Sequence, residues 1–174
     1  MSRKNKLSRA SSSALKPGNI AFRKHDHRRC QQQLLSAARQ VCERRQLRLT
    51  ERRRQVLEIL LVSHQPMGAY DILAELNRGA AERIAPPIVY RALEFLLAEG
   101  LIHRIESRNA FISCVHPGHR SAAQFLICRD CEQVAELENP DAGLLAQADD
   151  LGFAVDHSVV EITGVCAECQ KHVG

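Results

Sequence analysis

The sequence predicts an α+β protein in two parts: an N-terminal winged helix-turn-helix domain, then a small α/β domain organised around four cysteines. Three observations carry this. Apolar residues recur at helical spacing in four successive segments up to about residue 99. Two strand-like runs follow at once, Leu101 to Glu106 and Ala110 to Val115, and helices closed directly by a hairpin are the pattern of a winged helix. Beyond them, two Cys-x-x-Cys pairs, Cys128/Cys131 and Cys166/Cys169, flank a stretch of 34 residues.

Residues 1–27 are rich in Ser, Lys and Arg and are broken by Pro17-Gly18. They bury too little apolar surface to order themselves and are expected to form a flexible basic tail. His25, His27 and Cys30 sit close together there, but a metal site on a tail lacks a supporting shell, so they are set aside as ligands. The winged-helix domain is placed at residues 28–115, a hinge loop at 116–120 and the second domain at 121–174.

The first helix spans Arg28 to Arg45 on Leu34, Leu35, Ala38, Val41 and Cys42. Thr50 is a plausible N-cap for the second, whose apolar face is Val56, Leu57, Leu60 and Leu61. Gln65-Pro66-Met67-Gly68 breaks it, and a third helix follows on Tyr70, Leu73, Ala74 and Leu76, ending near Asn77 to Gly79. Pro86-Pro87 opens the fourth, because a first-turn N–H has no intrahelical acceptor to lose, and Gly100 closes it. Val89, Ala92, Leu93 and Leu96 face inward; Tyr90, Arg91 and Glu94 are left outside. Ser107-Arg108-Asn109 supplies the hairpin turn. In the second domain Phe125 to Cys128 and Gln133 to Leu137 read as strands, Pro140 to Leu151 as a helix, and Phe153 to Ile162 as a strand bounded by Gly152 and Gly164.

Charge is distributed unevenly: residues 1–30, 31–110 and 111–174 carry net +8, +3 and −7. Double-stranded DNA would be attracted to the first two segments and repelled by the third. In a winged helix the last helix enters the major groove. That makes Arg91 the base-reading residue, since a guanidinium can pair with guanine O6 and N7, with Tyr90 on a phosphate or a thymine methyl. Arg52, Arg53 and Arg54, at the start of the second helix, are placed on phosphates. No apolar stretch approaches the about 20 residues of a membrane span, and Met1 to Ala21 holds no apolar run of the secretory type. The protein is therefore expected to be cytoplasmic, with its thiols reduced.

Four thiolates in two Cys-x-x-Cys pairs suit one tetrahedral zinc ion, which takes sulfur ligands at about 2.3 Å. The odd count of seven cysteines argues against a fully disulfide-paired framework. Catalysis is not expected, and neither is a small-molecule substrate. The His-Glu-x-x-His and His-x-Glu/Pro-Cys-x-x-Cys signatures of zinc enzymes are absent, and His103 and Glu106, three apart in a strand, point to opposite faces. A zinc ribbon that binds only other proteins fits poorly with the segmental charge and the polar outer face of the fourth helix.

The run Ala85-Pro86-Pro87-Ile88-Val89-Tyr90-Arg91-Ala92-Leu93-Glu94-Phe95-Leu96-Leu97, then Gly100-Leu101-Ile102-His103-Arg104-Ile105-Glu106, then the two cysteine knuckles, resembles the ferric uptake regulator family, specifically its zinc uptake regulator branch. The resemblance covers residues 31–170. It implies a homodimeric, zinc-sensing transcriptional repressor of zinc uptake genes, with one structural zinc per protomer on Cys128, Cys131, Cys166 and Cys169 and a second domain that dimerises. It also implies one regulatory zinc at the hinge, on His103, Cys114, a loop histidine and Glu136. The usual position of that histidine is Ser121 here, so His119 is preferred over His116 because it lies closer; slack in a loop costs little. The residues before Cys128, Ser121-Ala122-Ala123-Gln124-Phe125, lack the His-rich run of iron and peroxide sensors, the alternative reading within the family. His157 matches a ligand position of some relatives without its partners and is read as supporting or structural.

Overall fold

Backbone constraints written into the sequence set the helix boundaries of the N-terminal domain. The computed structural model describes residues 21–22, 25–118, 123–137 and 142–171; most of the expected tail, and His119, lie outside them. Helices α1 (His27–Arg44), α2 (Glu51–Leu60), α3 (Ala69–Arg78) and α4 (Pro86–Ala98) follow one another. The Asp26 side chain accepts the Arg29 N–H at 3.2 Å and so caps α1. Thr50 occupies the N-cap position of α2 with extended backbone, but its hydroxyl makes no capping bond. Gly100 ends α4 with φ 65°. The Leu101 N–H reaches the Leu96 carbonyl and the Gly100 N–H reaches that of Leu97, the bond pair that needs a left-handed residue at that point.

Val56, Leu57, Leu60, Ile72, Val89, Leu93, Leu96 and Leu101 are buried together as the helical core. The hairpin of β1 (Ile102–Ile105) and β2 (Ala110–Ser113) closes it through a single 3-10 turn, Glu106–Arg108, and Asn109 at φ 46°. Alternation along the strands gives the hairpin two buried faces. Ile102 and Phe111 pack on the helices. Ile105 and Ile112 pack instead with Ala123, Phe125, Ile127 and Val134 of the second domain.

In that domain β3 (Ala123–Cys128) is central, with β4 (Val134–Leu137) antiparallel on one side and β5 (Val159–Gly164) parallel on the other. α5 (Ala142–Asp150) joins β4 to β5, and a four-residue α6 (Ala167–Gln170) follows. Two expectations are corrected here. The last strand starts at Val159, not Phe153, because its partner β3 starts at Ala123 and the first ladder pair is Ala123 with Val159. The short α6 carries no amphipathic repeat and was not anticipated. Cross-strand register places Glu136 and Glu161 on either side of Phe125, all on the face turned toward the hairpin.

Candidate metal centres

Cys128 ends β3, Cys131 lies in the turn before β4, Cys166 caps α6 and Cys169 lies within it. Parallel pairing of Cys128 with Gly164 brings the second knuckle beside the first despite the long gap in sequence. All four are free thiols, and their sulfurs lie within 4.8 Å of one another. Cys131 and Cys166 sulfurs are 3.8 Å apart, which matches the edge of about 3.8 Å of a sulfur tetrahedron with bonds of about 2.3 Å. The Cys166 N–H points at the Cys128 sulfur from 3.3 Å. Burial pushes the Cys128 thiol up, but backbone N–H groups of Cys131, Cys166 and Asp130 outweigh it and hold it down to about 6. Cys169 is driven the other way, first by Cys166 and then by burial. One thiolate is easy to form here and further ones repel it, so the donors suit a cation that neutralises all four.

A second cluster spans the two domains. His103 of β1 projects toward the second domain on the same face as Ile105, and its ring meets Phe125 edge-on with centroids 5.3 Å apart. Its Nε2 lies 3.0 Å from Oε1 of Glu136. It sits off the line that a ring N–H would need, so it is buried without a proper hydrogen bond. Cys114, just past β2, holds its sulfur 3.9 Å from the same oxygen, while Glu136 Oε2 accepts the Val115 N–H at 3.0 Å. Burial, then Glu136, pushes the Cys114 thiol far up. Burial works to raise the Glu136 carboxyl as well, but His103, the Val115 N–H and His116 keep it below the ordinary value. An orphaned ring nitrogen, a thiol and a carboxylate converging on one point fit a bound divalent cation.

His116 lies in the loop after Cys114 and is outside this ligand cluster, though its backbone N–H bonds the Cys114 sulfur. The loop is pinned at Gly118, one residue before His119. Arg45 donates to the Gly118 carbonyl at 2.8 Å and to Glu99, and Gly118 has φ 92° with no room for a Cβ, which would stand 2.9 Å from Val41. His157 is exposed and lines an open cavity with His103, outside the ligand clusters.

On the opposite side of α4, Tyr90 and Arg91 are exposed. The arginine trio of α2 is more engaged than its sequence suggests. Arg52 bonds Gln55, the Arg53 guanidinium lies 3.5 Å over the Phe95 ring, and Arg54 pairs with both Glu51 and Glu58. One ligand-type residue was missed altogether. His64, buried in the turn between α2 and α3, meets His25 and His27, and nothing local in the sequence signals it.

Residues 44–163 match the profile of the Ferric uptake regulator family. The chain is 39% identical to the zinc uptake regulation protein of Escherichia coli over 143 residues, 79% of this chain and 82% of that protein. It superposes on a zinc uptake regulator complexed with zinc and DNA with TM-score 0.73 at 34% identity, over 82% of this chain and 96% of the other. Holo XcZur gives 0.72 at 38% identity, over 81% and 99%. Apo XcZur, at the same identity and covering 82% and 99%, gives only 0.50.

Proposed function

The chain belongs to the ferric uptake regulator family, and on that premise we propose that it is a zinc-responsive transcriptional repressor that binds operator DNA as a zinc-loaded homodimer and controls zinc uptake genes. One observation carries the reading: His103, Cys114 and Glu136 converge across the joint between hairpin and second domain. One thiolate among the donors favours zinc over iron, and a loop histidine as fourth ligand would close the site and leave no position for a substrate. Zinc is proposed at one structural and one regulatory site per protomer. It supplies a fixed crosslink at the regulatory site; these side chains set its position. Leu144, Leu151, Phe153, Val155 and Ile162 of the second domain are exposed apolar residues, and a homodimer interface would cover such a surface. A footprint on genomic DNA with and without zinc tests the proposal, together with the metal that restores binding to stripped protein. Restoration by iron and not zinc would move the protein to the iron-sensing reading.

His119 is proposed as the fourth regulatory ligand, because it lies closer than His116 to Ser121, the position that the family resemblance assigns to the loop histidine. Zinc affinity should fall sharply in His119→Ala and little in His116→Ala. Isothermal titration of stripped protein measures both, and the reverse order would move the ligand to His116.

Arg91 is proposed to read a guanine and Tyr90 to contact a phosphate or thymine methyl, with Arg52, Arg53 and Arg54 on phosphates. Arg91→Ala should cost about 1–3 kcal/mol on the specific operator and relax discrimination at one position of each half-site. Arg52→Ala should weaken all sequences alike and flatten the salt dependence. Competition gel shifts over a salt series separate the two. An equal loss on specific and non-specific DNA in Arg91→Ala would make it a backbone contact.

A further inference from the structure

Three imidazoles meet where the start of α1 crosses the turn between α2 and α3. His64 Nε2 lies 3.2 Å from His25 Nε2, and that nitrogen lies 3.3 Å from His27 Nδ1. Two nitrogen ligands on a tetrahedral zinc, at about 2.0–2.1 Å each, stand about 3.3–3.4 Å apart. Cys30 follows His27 by one helical turn, and its sulfur and the three nitrogens all lie within 4.8 Å of one another. The other nitrogen of His27, Nε2, is 2.7 Å from the Val62 carbonyl oxygen. An N–H donated there leaves the Nδ1 lone pair facing the cluster, and ligating histidines usually make this kind of outer bond. Without a cation, and with no hydrogen on His27 Nδ1, the two contacts at His25 Nε2 cannot both be ordinary hydrogen bonds. A single cation takes a lone pair from all three rings.

We propose that His25, His27, Cys30 and His64 form a third zinc site, separate from the four-cysteine centre and from the His103–Cys114–Glu136 set. Three imidazoles and a thiolate are a tetrahedral donor set for a borderline-soft divalent ion, which zinc satisfies. Its surroundings give it a role. The His64 carbonyl accepts the Val134 N–H of β4 at 2.8 Å, and Gln65 Nε2 donates to the Cys131 carbonyl at 2.9 Å. The turn that carries His64 is thus already fastened to the four-cysteine domain. Zinc at the new site fastens the head of α1 to that same turn, beside the joint between domains.

The test is zinc content per protomer, by elemental analysis of the full chain dialysed against buffered zinc. Wild type is compared with Cys30→Ser, with His25→Ala/His27→Ala and with His64→Gln. Each variant should hold one zinc fewer than wild type, with circular dichroism unchanged. In cobalt-loaded protein, Cys30→Ser should also remove part of the thiolate-to-cobalt charge-transfer absorption. Because His64 is buried, its variant could misfold; Cys30 and His27 are only half-buried, so the first two variants then carry the test. Equal zinc content in these variants, with an unchanged cobalt spectrum in Cys30→Ser, would show the rings to be a packing cluster and overturn the site. No measurement here uses DNA, so the result is independent of the proposed repressor function.

Discussion

Cys128→Ser or Cys166→Ser should yield protein whose second domain is unfolded and which no longer dimerises. Among the described residues, the apolar core of this domain within one protomer is small. Its apolar cluster is Ala123, Phe125, Ile127 and Val134, completed by Ile105 and Ile112 borrowed from the hairpin. Strand β5 is half exposed and much of α5 faces solvent. A core of that size supplies only a few kcal/mol, whereas zinc held by four thiolates can contribute on the order of 10 kcal/mol or more to folding. Serine keeps the shape of the side chain and removes the sulfur, so the loss falls on the metal bond rather than on packing. Circular dichroism, thermal unfolding, size-exclusion chromatography and zinc content measure it. A serine variant that remained a folded dimer with full zinc content would remove the structural role from these cysteines.

How much of this could be read from the sequence depended on how local the signal is. Pro86-Pro87 and Gly100 mark the two ends of α4 because each imposes a backbone state that few other residues allow. The cysteine knuckles are legible for a similar reason, since two intervening residues already aim two sulfurs at one point. The regulatory cluster is different. Glu136 faces His103 only because the ladder pairs it with Phe125, and a shift of one residue would turn it away. Residue composition cannot supply that register, and the resemblance to a family did. The start of β5 was misjudged because alternation of apolar residues continues from 153 while the strand it could pair with does not. His64 was missed for want of any local pattern: it stands 39 positions from His25, and only the packing of α1 across the turn brings them together. The commitment of Arg54 was visible, since Glu51 and Glu58 lie three and four positions from it, the spacing at which helical side chains meet, whereas the contact of Arg53 with Phe95 spans two helices and has no local signal.

Replacing Cys114 or His103 by Ala should have the opposite outcome from loss of a knuckle cysteine: fold and dimer survive, one zinc per protomer is lost, and zinc-dependent DNA binding disappears. The joint between the domains has supports that do not involve metal. Ile105 and Ile112 pack on Phe125 and Ala123, and Glu161 accepts the N–H groups of Glu106 and Ser107 at the hairpin tip. These contacts, together with the bonds from the Val134 N–H to the His64 carbonyl and from the Gln65 side chain to the Cys131 carbonyl, keep the domains attached without metal. His103 and Cys114 belong to the hairpin and Glu136 to β4, so on the proposed reading a cation bound by all three would add a crosslink that sets the angle between the domains and with it the spacing of the two recognition helices in a dimer. Moving such an equilibrium from about 1:99 to 99:1 takes about 5.5 kcal/mol of differential binding, less than the about 10–16 kcal/mol of total binding free energy of structural zinc sites. Without the cation, the Cys114 thiol stays protonated beside Glu136 and exerts no comparable pull on the hairpin. Operator affinity is to be measured by fluorescence anisotropy for wild type and both variants, each with buffered zinc and after chelation. Wild type should lose binding on chelation, and the variants should bind weakly in both conditions. Equal operator affinity of chelated and zinc-loaded wild type would sink the mechanism, because a cation that binds both arrangements equally shifts nothing.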